Sequence, residues 1–219
     1  LEDRARRFQF FLKVRGLTAD KALLEDERKE LFTQGVTVNW PISLNLVNVL
    51  FVDTETTGLG VRDQPVSIGA ILAAISPNTG RCNHEIGEYY GLRQPSCPIA
   101  PGAVRVHGLT HKELSGKDFD YVAISAMVGV ADLIVAHNAK FDQKMLSFLN
   151  IDESLWSCSC YDISWPQGAG GRSLDAVCRY LNIDRVKPHN AMSDTRAMFR
   201  ATQTCRANGL AYLADITIP

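Results

Sequence analysis

Residues 49–60, VLFVDTETTGLG, determine both the fold and the chemistry that this chain can support. An apolar run typical of a buried strand leads into Asp53 and Glu55, and Thr-Thr-Gly then ends the strand. Side chains at positions i and i+2 of a strand point the same way, so the two carboxylates share one face. They repel each other unless a cation lies between them, and Mg²⁺ or Mn²⁺ is the natural partner of such oxygen ligands. A simple polar strand exit is the alternative interpretation.

The bulk composition predicts one main domain with a small appendage. The chain has 219 residues and a formal net charge of −1. That charge argues against a large basic surface for duplex nucleic acid, but a site with divalent cations brings its own positive charge. No apolar run approaches the ~20 residues of a membrane helix, and the first residues lack a signal-peptide pattern. We therefore expect a cytoplasmic protein without membrane contact.

Composition changes near Pro41, which divides the chain into two predicted parts. Residues 1–45 are rich in helix formers and are predicted to be a helical amino-terminal extension. Residues 46–215 are predicted to be the main domain. Within it, the periodicity predicts strands at residues 45–52, 65–75, 83–92 and 131–138, and helices at residues 110–114, 120–130, 140–149, 172–181 and 191–207. The prolines of residues 96–104 predict an irregular segment.

This order of elements predicts an α/β fold. A run of strands followed by alternating strands and helices is typical of a mixed central sheet flanked by helices on both faces.

Two further acids follow histidines at the starts of predicted helices. Both pairs have the spacing His-x-x-x-x-Asp, from His137 to Asp142 and from His189 to Asp194. Each acid lies near a helix amino terminus, where the helix dipole favours negative charge, so a purely structural role is the alternative for either one. Either histidine could act as a general base near neutral pH, and the spacing does not choose between them.

Four segments in order carry a family resemblance: FVDTETTGL, VHGLTHKEL, AHNAKFD and PHNAMSD. Over residues 47–207 the chain resembles the DEDDh 3′-to-5′ exonucleases, ribonuclease H-like proteins that include proofreading subunits of bacterial replicative polymerases. The resemblance implies that two divalent cations, Mg²⁺ or Mn²⁺, are held by Asp53, Glu55, Asp142 and Asp194. It also implies that His189 is the general base and that His137 has a structural or substrate-edge role.

The resemblance also implies where a nucleic-acid end would bind. The main chain at Thr54 and Glu55 would meet the terminal 3′-hydroxyl, and Leu59 with the turn at His107–Leu109 would pack against the last base, because apolar contact tolerates any base. Core packing is the alternative for Leu59 and Leu109. The implied substrate contacts are Thr54, Glu55, Thr57, Leu59, His107, Leu109, Asn138 and Phe141.

The implied substrate is nucleic acid with a free 3′ end, single-stranded and DNA in preference to RNA, from which nucleoside monophosphates are released. A polymerase subunit or a second copy of the chain is the implied protein partner. Three alternatives remain open at this point. One is an exoribonuclease that trims RNA 3′ ends, and another is a ribonuclease-H-like endonuclease. The third is a non-catalytic binding module for nucleic acid or a polymerase on the same fold.

Overall fold

The computed structural model describes residues 46–217, which form a five-stranded mixed sheet in the order β3-β2-β1-β4-β5. β1 pairs antiparallel with β2, and β2 with β3, whereas β1 and β4, and β4 and β5, run parallel. The strands are β1 Val47–Thr56, β2 Pro65–Ile75, β3 Cys82–Leu92, β4 Leu133–Ala136 and β5 Trp156–Cys158. The expected mixed sheet is confirmed, and the expected helical extension at residues 1–45 lies outside the described residues.

Helices cover both faces of the sheet, as the sequence predicts. One face packs with Ile124 and Met127 of α3 in one apolar cluster, and the other packs with Met198 and Phe199 of α6. The Phe199 ring meets the Phe51 ring edge-on, with the ring centroids 5.1 Å apart. The helices are α1 Pro101–His107, α2 His111–Leu114, α3 Tyr121–Val130, α4 Ala139–Met145, α5 Leu174–Tyr180, α6 Ala191–Gln203 and α7 Ala214–Thr217. No helix among the described residues is long and apolar enough to cross a membrane.

β1 is longer than its apolar run predicts. The apolar run predicts a strand at residues 45–52 that leads into Asp53, whereas the observed strand begins at Val47 and continues to Thr56. Asp53 pairs with Gly69 and Glu55 with Ser67, and the register shifts only between Glu55 and Thr56. The ladder with β2 therefore carries the strand past the point where its side chains become polar, because backbone pairing does not depend on side-chain polarity.

The prediction of an irregular segment over residues 96–104 is wrong in its second half. Helix α1 begins at Pro101, where the missing N–H and the fixed φ angle of proline suit the first helical position. The helix ends before Gly108, which has a left-handed φ of 76° and whose N–H donates to the Val104 carbonyl oxygen. This turn places His107 beside the end of β1.

Other boundaries differ by a few residues or were not predicted. The helix expected at 140–149 ends at Met145 and is followed by a short 3₁₀ turn at Ser147–Leu149, and the helix expected at 191–207 ends at Gln203. β5 and α7 are too short, at three and four residues, to show a periodic pattern.

Helix α6 is positioned against β2 by a glycine. The Thr195 hydroxyl donates to the carbonyl oxygen of Gly69 over 3.0 Å. A Cβ atom on Gly69 would lie 2.4 Å from the carbonyl carbon and oxygen of Ala191, at the start of α6. Backbone therefore meets backbone at this contact, and the contact sets the distance between the sheet and the helix that carries Asp194.

We expect Gly69→Ala to destabilise the protein by about 1–3 kcal/mol, because the added methyl group must push the first turn of α6 away from the sheet. Thermal unfolding measures the loss. Gly102→Ala is the matched control, since the nearest atom to its new Cβ would lie 3.7 Å away at the Arg105 guanidinium. Equal melting temperatures for the two variants would contradict this account of the contact.

Candidate active site

Three carboxylates converge at the carboxyl end of β1. Oxygen atoms of Asp53 and Glu55, from the strand, and of Asp194, from the first turn of α6, all lie within 4.8 Å of one another. Asp53 and Glu55 share one face because side chains alternate along a strand. We call Asp53, Glu55 and Asp194 the carboxylate cluster.

Asp142 lies beside this cluster rather than in it. Helix α4 follows the parallel strand β4, and its first turn places Asp142 with only 2% of its surface exposed. The buried hydroxyl of Thr54 donates to its Oδ1 over 2.8 Å. Its charge raises the pKa of both Asp53 and Glu55, so the four acids form one electrostatic unit.

Burial and mutual repulsion shift the protonation of this unit. Burial raises the pKa of Asp53 well above its usual range, and the charges of Asp142, Glu55 and Asp194 raise it further. Burial, followed by the charges of Asp194 and Asp142, raises the pKa of Glu55 to about 7. Burial also raises the pKa of Asp142 to about 7. Four acids in so little space remain ionised only near positive charge, and their all-oxygen donor set fits a hard divalent cation.

Asp194 is held from two sides. The Arg185 guanidinium donates to its Oδ1 from Nη2 over 2.5 Å and from Nε over 3.2 Å. The His189 main-chain N–H donates to its Oδ2 over 3.0 Å. Asn190 caps α6 by accepting a hydrogen bond from the Ser193 N–H. The sequence analysis missed Arg185, because no local pattern marks an arginine that precedes its acid by nine residues in a loop.

The two histidines have different surroundings. The His137 ring is engaged at both nitrogens, with Ser159 Oγ 3.0 Å from Nδ1 and the Arg172 carbonyl oxygen 2.8 Å from Nε2. His189 is exposed, and its ring makes no hydrogen bond within residues 46–217. Its φ of 64° is uncommon for a residue with a Cβ. A proton acceptor needs an open nitrogen, so the geometry favours His189 over His137.

The predicted substrate-edge residues lie around the end of β1. The His107 Nδ1 accepts from the Leu109 N–H over 3.0 Å, which leaves Nε2 protonated to donate to the Thr56 carbonyl oxygen over 3.1 Å. Both ring nitrogens of His107 are hydrogen-bonded, and the bond to Thr56 fixes the turn at His107–Leu109 to the end of β1. Leu109 is half-buried, whereas Leu59 is 86% exposed and is not a core residue.

The remaining predicted contacts differ in accessibility. Thr57 is fully buried, and its hydroxyl donates to Asp63 Oδ1 over 2.6 Å, so this side chain shapes the loop after β1. Asn138 is exposed and has a left-handed φ of 74°, and Phe141 is half-buried on α4. The Lys144 ammonium of α4 donates to the Gly60 carbonyl oxygen over 3.0 Å, which joins the helix to that loop.

Comparison with known proteins identifies the class to which this fold and site belong. The model of the exonuclease family named RNase_T matches residues 50–202, a range that includes the carboxylate cluster, Asp142 and His189. The chain belongs to the exonuclease family.

The sequence relatives are replicative polymerase components. The chain is 30% identical over 169 residues to the DNA polymerase III subunit epsilon of Haemophilus influenzae, covering 68% of this chain and 63% of that protein. It is 29% identical over 174 residues to the same subunit of Buchnera aphidicola, covering 69% and 70%. The PolC-type DNA polymerase III of Thermotoga petrophila is 26% identical over 191 residues, covering 77% of this chain. The chain spans only 13% of the length of that polymerase.

Solved structures share the fold. Escherichia coli exonuclease I in complex with a dT13 oligonucleotide superposes with a TM-score of 0.54 at 21% identity, covering 72% of this chain and 40% of that one. Exonuclease X in complex with 5′ overhanging duplex DNA superposes with a TM-score of 0.52 at 22% identity, covering 76% and 99%. The ribonuclease H-like fold of the exonucleases is thus present over the described residues.

The raised acid pKa values predict how stability depends on pH in chelator. Glu55 and Asp142 have folded-state pKa values of about 7, above the ~4 of the unfolded chain. The folded state binds more protons between these values, so their contribution to the free energy of unfolding falls as pH rises from about 4 to about 7.

Asp53→Asn removes one charge from this unit and isolates its contribution. In chelator we expect the variant to melt above the wild type at pH 8, with the difference shrinking at pH 5, where Glu55 and Asp142 are largely protonated in both proteins. His107 and His137, whose pKa values are also shifted, are present in both proteins, so their effect on stability cancels in the comparison. A variant that melts below the wild type at pH 8 would show that repulsion among the acids does not limit stability.

Proposed function

We propose that this chain is a 3′-to-5′ exonuclease that acts on DNA with a free 3′ end and releases nucleoside monophosphates. The observation that carries the proposal is the carboxylate cluster at the end of β1, with oxygens within 4.8 Å of one another, in a member of the exonuclease family. The relatives named as DNA polymerase III components favour DNA over RNA and a polymerase subunit as partner. A second copy of the chain is the alternative partner.

In this proposal Asp53, Glu55 and Asp194, with Asp142 beside them, hold two divalent cations, Mg²⁺ or Mn²⁺. Such cations would lower the pKa of the attacking water and neutralise charge on the leaving 3′-oxygen. The chain itself contributes a fixed arrangement of acids. Asp142 is oriented by the Thr54 hydroxyl, and Asp194 by the Arg185 guanidinium and the His189 N–H.

His189 takes the proton from the attacking water. Its ring is exposed, and its main chain is fixed to Asp194, so the imidazole stays at the rim of the cluster. Imidazole is a suitable general base near neutral pH. His137 positions neighbouring elements instead, since its ring joins the end of β4 to the Ser159 hydroxyl and to the Arg172 carbonyl oxygen.

The last nucleotide is held at the end of β1. The main chain at Thr54 and Glu55 meets the 3′-hydroxyl, while exposed Leu59 and the turn held by His107 pack against the base. Leu109, Asn138 and Phe141 complete the walls. Thr57 acts indirectly, because its buried hydroxyl fixes the loop that presents Leu59.

The direct test is degradation of 5′-labelled single-stranded DNA, duplex DNA and RNA by the full chain with Mg²⁺, with Mn²⁺ and with chelator. We expect stepwise shortening of single-stranded DNA from its 3′ end, slower loss of RNA, and no product in chelator. Internal cuts, shortening from the 5′ end or activity in chelator would contradict the proposal. Faster loss of RNA would indicate an exoribonuclease, and no cleavage of any substrate a binding module.

Asp53→Asn should reduce the cleavage rate at least about a hundredfold, because the cluster loses a ligand charge and metal catalysis depends on it. Glu153→Gln is the matched control, since Glu153 is an exposed acid in a 3₁₀ turn outside the cluster. The control should cleave at the wild-type rate. Metal-dependent cleavage by folded Asp53→Asn at more than a hundredth of that rate would contradict the assignment of the cluster.

His189→Ala and His137→Ala should separate the two histidines. In single-turnover assays we expect His189→Ala to slow the chemical step by roughly a hundredfold or more with little change in substrate affinity. His137→Ala should mainly lower the melting temperature, because both hydrogen bonds of its ring are lost. The reverse ranking would place the general base on His137.

A further inference from the structure

Among residues 46–217, Arg185 is the cation that reaches the carboxylate cluster. It lies in the loop between α5 and α6, and its side chain is only 10% exposed. Two of its nitrogens donate to Asp194 Oδ1, and Nη1 donates to Asp175 Oδ1 over 2.8 Å. Asp194 is itself only 8% exposed in its side chain, whereas Asp175 is 58% exposed. The guanidinium therefore joins a surface acid to a buried one.

The charge of Arg185 acts beyond its direct partner. It lowers the otherwise raised pKa of both Asp53 and Glu55. Within residues 46–217, the carboxylate cluster takes part in one ion pair, which Arg185 forms with Asp194. Burial lowers the pKa of Arg185, but its hydrogen bonds to Asp194 and Asp175 outweigh this, so the group stays charged.

The same bonds hold the segment that carries His189. Lys187 and His189 both have left-handed φ angles, 66° and 64°, in which residues with a Cβ persist only when neighbouring contacts hold them. The Arg185 guanidinium donates to Asp194 Oδ1, and the His189 N–H donates to Oδ2 of the same carboxylate. Both Arg185 and His189, and hence the loop that contains them, are therefore fixed to Asp194.

We propose that Arg185 is an internal counter-cation and positioning residue. Its guanidinium supplies positive charge to the cluster before divalent cations bind, keeps Asp194 oriented to receive them, and fixes the loop that presents His189. This inference rests on the proposed function, since it assumes that cations bind at the cluster. Arg185 and a bound cation neutralise the same charge, so each partly replaces the other in stabilising the fold.

The test uses the full chain and compares Arg185→Gln with Arg179→Gln. Arg179 is the matched control because it pairs with the same Asp175 over 3.1 Å but has a side chain that is 77% exposed. Melting temperatures are measured in chelator and with Mn²⁺, Mn²⁺ binding is measured by titration calorimetry, and kcat and KM are measured on single-stranded DNA.

We expect Arg185→Gln to lower the melting temperature in chelator by roughly 5 °C or more, because a buried carboxylate loses its partner. Saturating Mn²⁺ should restore part of this loss. Adding Mn²⁺ should therefore raise the melting temperature of the variant by more than it raises that of the wild type. The variant's kcat should fall at least about tenfold with KM within about threefold, because the base is misplaced while the substrate walls remain. Arg179→Gln should match the wild type in all of these.

Two outcomes would overturn the inference. In the first, Arg185→Gln has the same melting temperature in chelator as Arg179→Gln. In the second, adding Mn²⁺ raises the melting temperature of Arg185→Gln no more than it raises that of the wild type. If Arg185→Gln does not fold, Arg185→Lys replaces it, because lysine keeps the charge but lacks the two parallel N–H donors of a guanidinium. Mn²⁺ should then raise the melting temperature slightly more than in the wild type. A rise equal to that of the wild type would overturn the inference. A wild type without any Mn²⁺ response contradicts the proposed function, while melting in chelator still decides the role of Arg185.

Discussion

Repulsion among carboxylates is the constraint on which the rest of this structure depends. Asp53, Glu55 and Asp194 lie within one small volume, with Asp142 beside them, and burial raises the pKa of several of these acids. Such an arrangement costs stability unless positive charge compensates it. The surrounding contacts serve this end, because the hydroxyl of Thr54 orients one acid and the guanidinium of Arg185 neutralises another. Such a group of buried acids is therefore a local instability that the remaining fold must support.

The sheet provides that support through its topology. β1 lies at the centre, antiparallel to β2 and parallel to β4, so the carboxyl ends of β1 and β4 meet at one edge. Helix α4 follows β4 directly and brings Asp142 to this edge, while α6 crosses β2 and brings Asp194. Acids far apart in sequence thus reach one point on rigid elements, with apolar clusters on both faces behind them.

Much of this arrangement could be predicted from the sequence, and the exceptions have physical causes. β2 was predicted at its observed bounds because its residues are apolar and flanked by turn sequences, and it is buried throughout. α1 was missed because proline suppresses helices everywhere except at their first turn, where it lies here. The two His-x-x-x-x-Asp motifs are equivalent in spacing, and only the hydrogen bonds of the rings separate them. Arg185 acts through a tertiary contact, and such a contact produces no periodic pattern in the sequence.

The contact at Gly69 constrains how this chain can diverge. Main chain meets main chain between Gly69 and Ala191, so a larger residue at position 69 would push α6 away from β2. The distance between Asp53 on β1 and Asp194 on α6 is therefore sensitive to any substitution at this point. Leu59 and Val61, more than four-fifths exposed on the loop after β1, are under no such packing restraint. Inherited changes should therefore accumulate on that loop, while the distance between β2 and α6 is passed on unaltered.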